Sequence, residues 1–269
     1  MFGPDPHLLQ IVLARIDAAL EANGAGLLVV GLCGAQGSGK STLAAALVAA
    51  LGANGVVAAA LSLDDLYLAR AERRALAHQI HPLLATRGVP GTHDIALGLQ
   101  TLAALDAGAA VRLPRFDKGR DDRAAEADWP LAPPHCRVLL LEGWCVGAMA
   151  QPASALAHPI NALEQQEDPK AIWRTYANTA LDGVYQTLFA RIDLLILLAA
   201  PGWDIVAQWR EEQEAAVRRS GAPQAMSRAQ ITRFIQHYER LTRWILTEMP
   251  ARADLVIALD PQRRPVSLG

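Results

Sequence analysis

The 269-residue sequence is poor in cysteine, in lysine and in net charge. Its three cysteines, Cys33, Cys136 and Cys145, are too few and too scattered for a disulfide framework. No Cys/His spacing suggests a zinc site. All three are expected to be reduced thiols packed as small buried hydrophobes. The formal net charge is −2, which excludes a broadly basic nucleic-acid binder. Long apolar runs are also missing. The longest, Leu27 to Cys33 and Leu194 to Ala200, fall far short of the roughly 18 residues that cross a bilayer. Met1 to Gln10 carries Asp5 and no lysine or arginine, so no signal peptide is visible. These absences predict a cytoplasmic protein with neither a membrane nor a nucleic acid as partner. Only three of the 25 basic residues are lysine: Lys40, Lys118 and Lys170. Two of them fall in motifs described below.

What is present suits an ordinary globular protein. Apolar residues make up 52% of the chain and charged residues 19%. The length fits one large domain with a full core. Leu27 to Cys33, Arg137 to Glu142 and Ile192 to Ala199 have strand length and no helical period, with Val56 to Leu61 and Leu255 to Leu259 as weaker cases. Near-continuous apolar strands are buried on both faces, as in a parallel sheet covered by helices. Helical patterns lie at His7 to Ala22, Ser41 to Leu51, Ala171 to Ala190, Ile205 to Arg219 and Ser227 to Thr247. Their alternation with strands predicts an α/β fold. Residues 78–94, 114–136 and 146–169 read as loops, and loops of this length in a compact domain are usually functional or disordered.

Gly34-Ala35-Gln36-Gly37-Ser38-Gly39-Lys40-Ser41 follows the first strand and opens a helix that continues with Thr42. This is the pattern and the context of a phosphate-binding loop. Glycines let successive backbone N–H groups turn inward, and the helix N-terminus adds partial positive charge. Lys40 is placed to reach the β- and γ-phosphates, and the Ser41 hydroxyl to coordinate Mg²⁺. ATP and Mg²⁺ are therefore the expected cofactors.

Two acidic signals accompany the loop. Asp64 and Asp65 follow the second strand in Leu61-Ser-Leu-Asp-Asp-Leu-Tyr67. One could accept a proton from an attacking hydroxyl, and either could hold Mg²⁺ through water. Either could equally be the N-cap of a helical run that follows. Glu142 ends the strand Val138-Leu-Leu-Leu-Glu142-Gly143-Trp144, where an acid can hold a Mg²⁺-bound water.

With these three motifs the chain resembles the small-molecule P-loop kinases that include uridine kinase, phosphoribulokinase and pantothenate kinase. Further stretches resemble plant-type D-glycerate 3-kinase and its fungal and bacterial relatives more closely. They are Arg87-Gly-Val-Pro-Gly-Thr92-His93-Asp94, Leu113-Pro-Arg115-Phe-Asp117-Lys118, Arg120-Asp-Asp-Arg123, Gln208-Trp-Arg210, the Gly221…Met226-Ser227 spacing and the tail Leu259-Asp260…Arg264-Pro265. The resemblance implies a three-layer αβα P-loop fold with a mainly parallel five-stranded sheet. It implies one kinase domain over residues 1–269, with a helical lid at about 208–230. Its implied activity is transfer of the γ-phosphate of ATP to a hydroxyl of a small metabolite, with D-glycerate as the best single candidate. In that family the first acid of the Asp-Asp pair is the catalytic base, which maps onto Asp64. Uridine, pantothenate or another sugar-like acceptor stays open, as does a nucleotide-gated regulatory module.

The acceptor site is expected on the loops that carry the resemblance: Asp65, Tyr67, Arg87, Thr92, His93, Arg115, Asp117, Lys118 and Arg123. His93 could bond a substrate oxygen, while Thr92 or Asp94 could cap the helix beginning at Ile95. Arg115, Lys118, Arg120 and Arg123 place four cations within nine residues, which suits an anion clamp or a solvated mixed-charge loop. Arg210, Arg218 and Arg219 precede the Gly221-Ala-Pro223 break. They read as lid arginines over the phosphates, or as ordinary Glu–Arg ladders. Trp173, Tyr176 and Tyr185 stand at helical spacing and are expected to pack in the core.

Overall fold

The computed structural model describes residues 4–219 and 226–266, except the side chains of residues 216–219. Helix α1 (Pro6–Ala22) starts at Asp5, whose carboxylate accepts from the His7 and Leu8 amides, with Pro6 preset for the first turn. Strand β1 (Leu28–Gly34), α2 (Lys40–Ala53), β2 (Ala58–Ser62), α3 (Arg70–Gln79) and α4 (Ile95–Asp106) follow. Strands β3 (Val111–Arg112), β4 (Phe116–Asp117), β5 (Asp122–Arg123) and β6 (Leu131–Ala132) form two nested antiparallel ribbons, β3 with β6 outside and β4 with β5 inside. The chain continues through β7 (Val138–Gly143), α5 (Ala162–Glu167), α6 (Ile172–Asp182), α7 (Val184–Phe189), β8 (Leu194–Ala199), α8 (Trp203–Arg219), α9 (Arg228–Glu248) and β9 (Leu255–Ala258).

Five strands make one parallel sheet in the order β2-β7-β1-β8-β9, with helices on both faces. This is the expected α/β three-layer fold. The strength of each apolar run tracks its place in the sheet. β1 and β7 are buried along their whole length and β8 along all but its last residue. The weaker runs became the edge strands β2 and β9, each paired on one side only and less completely buried. Every fully buried Val, Leu or Ile in the central strands contributes roughly 1.5–3 kcal/mol of transfer free energy. The register is what positions the site. Leu32 of β1 and Ser62 of β2 both lie opposite Glu142 of β7. The three strands therefore end level, and the loops that leave them rise from one rim of the sheet, where parallel α/β folds bind ligands.

Three expectations are corrected. The single helix over Ala171 to Ala190 is two, α6 and α7, because Gly183 leaves helical backbone at φ −100°, ψ −106° and lets the chain turn. The 78–94 stretch, expected as loop, contains the last residues of α3 and the 3₁₀ turn Pro82–Ala85. The 146–169 stretch contains the 3₁₀ turn Ala153–Leu156 and α5, both tied down by buried arginines. Trp173 and Tyr185 are buried as expected, while Tyr176 is only partly covered. All three cysteines are free and buried, and burial pushes their thiols above the ordinary value. No helix among the described residues is long and apolar enough to cross a membrane.

Candidate active site

The loop between β1 and α2 is shaped by two left-handed glycines, Gly37 at φ +82° and Gly39 at φ +90°. Gly39 is the N-cap of α2 and carries no side chain to satisfy the first helical amides, so those N–H groups stay available to an anion. Ala35 accepts the Ser38 amide and holds the loop in its curl. A Cβ on Gly37 would stand 2.6 Å from the Cβ of Trp209. Trp209 donates to the Pro261 carbonyl at 2.8 Å, and the Arg263 guanidinium lies over its ring while donating to the Gly37 carbonyl at 2.6 Å. Helix α8 and the tail after β9 thus buttress the loop from behind. Neither Trp209 nor Arg263 was singled out from the sequence, although both fall inside stretches that carried the resemblance.

At the loop's exit, Ser41 donates to Glu142 Oε1 at 2.8 Å, and Lys40 Nζ lies 4.0 Å from Glu142 Oε2. Glu142 is buried, and its Oε2 has no hydrogen-bond partner among the described residues. A hydroxyl beside a buried carboxylate with an unused oxygen is a donor set that suits a small hard cation. No group of three or more His, Cys, Asp or Glu side chains that could hold a metal by themselves occurs among the described residues. Thr42 is exposed on the first turn of α2.

The adjacent acids point in opposite directions. The 3₁₀ turn Leu63–Leu66 is capped by Ser62, whose hydroxyl accepts the Asp64 amide. Asp64 faces the cleft. Its Oδ1 accepts the Tyr67 hydroxyl at 2.7 Å and its Oδ2 accepts Lys118 Nζ at 2.7 Å. Burial pushes this carboxyl upward, but the ammonium charges of Lys118 and Lys40 outweigh it and hold it well below the usual carboxylate range. Asp65 turns away. It accepts the Phe116 amide at 3.0 Å and Arg115 at 2.8 Å, and burial raises its carboxyl against those bonds.

Above the loop lies a cleft of about 710 Å³. Lys40, Arg87, Lys118 and Arg210 bring four cations to its walls, against one lining carboxylate, Asp64. Tyr67, Trp144, Phe234 and Tyr238 supply the aromatic walls. Phe234 and Tyr238 were missed because four-residue spacing on an amphipathic helix reads as core packing. Tyr238 donates to the Arg87 carbonyl at 3.2 Å and Trp144 to the Gly88 carbonyl at 2.9 Å, which fixes the 87–92 loop against the cleft.

Of the nine residues expected at the acceptor, Tyr67, Arg87 and Lys118 line this cleft. The other six do not line it. Asp65 and Arg115 are paired with each other, which fastens β4 to the Leu63–Leu66 turn. Thr92 is fully buried, where its hydroxyl accepts the Gly88 amide and donates to the Val89 carbonyl. His93 lies beneath Tyr67, ring centroids 4.6 Å apart, and shares a hydrogen bond with the Tyr185 hydroxyl. Burial lowers its imidazole to about 3, so it stays neutral. Asp117 accepts the Gly119 and Arg120 amides of its own turn. Arg123 pairs with Asp94, which also caps α4. The common reason is that long polar loops must satisfy their own amides and charges before they can offer any to a ligand.

Arg210 reaches the cleft from α8, donates to Glu214 at 2.8 Å and lies over the Phe234 ring. Glu214 in turn accepts the Met226 amide and ties α8 to the start of α9. The side chains of Arg218 and Arg219, and the Gly221-Ala-Pro223 break, lie outside the described residues.

No family model matches the chain. It is 33% identical over 253 residues to the uncharacterized kinase mug58 of Schizosaccharomyces pombe, covering 88% of this chain and 90% of that protein. It is 30% identical over 258 residues to the chloroplastic D-glycerate 3-kinase of Arabidopsis thaliana, covering 89% of this chain and 54% of that one, about half its length. Two solved structures share the fold at 23% identity. The D-glycerate 3-kinase from Cryptococcus neoformans has a TM-score of 0.81 over 98% of this chain and 99% of its own. The YGR205w protein has a TM-score of 0.78 over 97% and 95%. With its phosphate loop, its level strand ends and its near-complete alignment to the fission-yeast kinase, the chain belongs to the kinase family of that protein.

Proposed function

We propose that this protein transfers the γ-phosphate of ATP to a hydroxyl of D-glycerate, giving 3-phosphoglycerate. The observation that carries the proposal is Asp64, which stands between the phosphate loop on one side and Lys118 on the other. A base carboxylate next to a phosphate cradle suits phosphoryl transfer. An acceptor side bounded by Lys118 and Arg87 suits a substrate that carries a carboxylate. The names of the relatives supply the particular acid.

In this reading the loop amides from Gly34 to Thr42 and Lys40 hold the phosphates. Ser41 and Glu142 would hold Mg²⁺, a role that the unused Glu142 Oε2 fits. When bound, the ion withdraws charge from the phosphate oxygens. Asp64 orients the acceptor hydroxyl. It takes the proton as the acceptor oxygen bonds to the γ-phosphorus and the bond to the bridging oxygen of ADP breaks. Tyr67 orients Asp64 through its hydroxyl. Arg210 stabilises charge on the transferring group from α8. Residues 1–269 act as one kinase domain.

ADP release by purified protein with ATP and Mg²⁺ tests this, with D-glycerate, pantothenate, uridine, ribulose 5-phosphate and glycerol as acceptors. Strong stimulation by D-glycerate is expected. Turnover on another acceptor, with D-glycerate inert, would discard the specificity. The phosphate loop has its own test. Gly37→Ala forces a Cβ against Trp209 in a left-handed backbone, a strain of roughly 1–3 kcal/mol before the clash is counted. Nucleotide affinity, read by titration with a fluorescent ADP analogue, is expected to fall roughly tenfold or more. Unchanged affinity would mean that this loop does not carry the phosphates.

A further inference from the structure

A carboxylate acts as a base only through an oxygen that can face the hydroxyl. Both oxygens of Asp64 are engaged: Oδ1 by the Tyr67 hydroxyl and Oδ2 by Lys118 Nζ, each at 2.7 Å. The two partners differ in freedom. Tyr67 is buried, stacked on His93, and locked by the Leu68 amide donating to the Thr92 carbonyl. The Lys118 side chain is 58% exposed at the tip of the β4–β5 hairpin. The hairpin itself is pinned. The Phe116 amide and Arg115 sit on Asp65, Arg73 and Arg87 both pair with Asp121, and Asp122 accepts the Arg70 amide. The ammonium can therefore swing on its four-carbon stem while the backbone stays still.

We propose that Lys118 masks the base in the acceptor-free enzyme, and that a carboxylated acceptor unmasks it by taking the ammonium in exchange for Asp64. The inference rests on the proposed function, with Asp64 as base and an anionic acceptor. Its logic is an exchange of one carboxylate for another. Lys118 makes one contact and its own side chain is exposed, so the acceptor's carboxylate can reach and compete for the ammonium, with Arg87 as a second cation on the same wall. Water and neutral alcohols bring no charge and leave Lys118 on Asp64. In the futile reaction a water oxygen would bond to the γ-phosphorus, the bond to ADP would break, and the water proton would go to Asp64 Oδ2. That oxygen is held by the ammonium until an anionic acceptor arrives. Lysine suits the task better than arginine. A point charge on a flexible stem releases one oxygen cleanly, whereas a guanidinium fork would grip both. The residue stands in a chain where only three of 25 basic residues are lysine.

Lys118→Met keeps the stem and removes the charge. The acceptor-free rate of ATP hydrolysis is expected to rise at least tenfold. The KM for D-glycerate should rise at least tenfold, and the preference for D-glycerate over glycerol should shrink by a similar factor. A raised KM with unchanged hydrolysis would mean that Lys118 only grips the acceptor, and would overturn the masking role. Lys118→Arg is expected to lower the acceptor-stimulated rate; a faster stimulated rate would contradict the exchange. Calorimetry on nucleotide-free protein gives a readout apart from turnover. Asp64→Asn releases the ammonium and is expected to tighten D-glycerate binding several-fold in the native background but not beside Lys118→Met. Equal tightening in both backgrounds would reduce the effect to lost repulsion between carboxylates and sink the exchange. Failure of the functional proposal is read separately, as no D-glycerate stimulation of the native enzyme. The hydrolysis comparison needs no acceptor and tests the mask either way.

Discussion

Asp64→Asn is expected to lower kcat by about 10²–10⁴ while nucleotide affinity stays within about twofold. The substitution is close to isosteric. Its amide oxygen can still accept the Tyr67 hydroxyl, so the turn Leu63–Leu66 keeps its shape. What is lost is the capacity to take a proton, together with the negative charge that holds Lys118. The phosphate loop lies on a different segment and is buttressed from behind by Trp209 and Arg263, so its shape should not register the change. Steady-state ADP release gives kcat, and titration with a fluorescent ADP analogue gives the affinity. A variant turning over at the native rate would remove Asp64 from the role of base. Asp65→Asn is the internal control. It should reduce stability more than it reduces chemistry, because Asp65 fastens β4 through Arg115 and the Phe116 amide.

The largest loss of stability is expected for Arg240→Ala. Glu164 is 0% exposed, and Arg240 meets it with two parallel bonds, Nε to Oε1 at 2.7 Å and Nη2 to Oε2 at 2.6 Å. The same guanidinium donates to the Ala155 and His158 carbonyls at 2.7 Å each. One side chain therefore staples the 153–164 segment to α9. Truncation leaves a carboxylate in the interior with no counter-charge, which costs roughly 3–5 kcal/mol. For a chain of this size the melting temperature should fall by roughly 10 °C. Thermal denaturation followed by circular dichroism checks it. The double variant Glu164→Leu with Arg240→Met should recover much of the loss, because removing both charges removes the desolvation cost as well. A single variant that melts with the native protein would mean that Glu164 is hydrated and the staple idle. Activity should fall with the fold, since α9 also carries Phe234 and Tyr238 to the cleft wall.

Much of this protein is written in short-range signals. The central strands β1, β7 and β8 announce themselves as apolar runs because burial on both faces leaves no room for alternation. The edge strands are fainter for the converse reason. The phosphate loop is legible because its shape is a property of local backbone: left-handed glycines, a helix start without a capping side chain, and a lysine and serine in fixed register. Glu142 was found by the same route, as an acid at the end of a buried strand.

The acceptor side was legible in composition but not in assignment. Four cations and several acids crowd residues 115–123, and local sequence says only that they are charged. Which pair with each other and which face the cleft depends on partners about 30 to 55 residues away: Asp65 for Arg115, Asp94 for Arg123, Asp64 for Lys118. Adjacent residues such as Asp64 and Asp65 are equivalent until a turn sends one to the cleft and the other to a neighbouring strand. The β-bridge between Tyr67 and His93 carries the imidazole beneath the Tyr67 ring, a position that no local signal marks. By itself the sequence determined the sheet, the loop that holds phosphate and the chemical class of the site, because backbone preference and burial act over a few residues. Only the tertiary structure decided which charges remain for a ligand, because ion pairing acts through space and leaves no spacing in the chain to read.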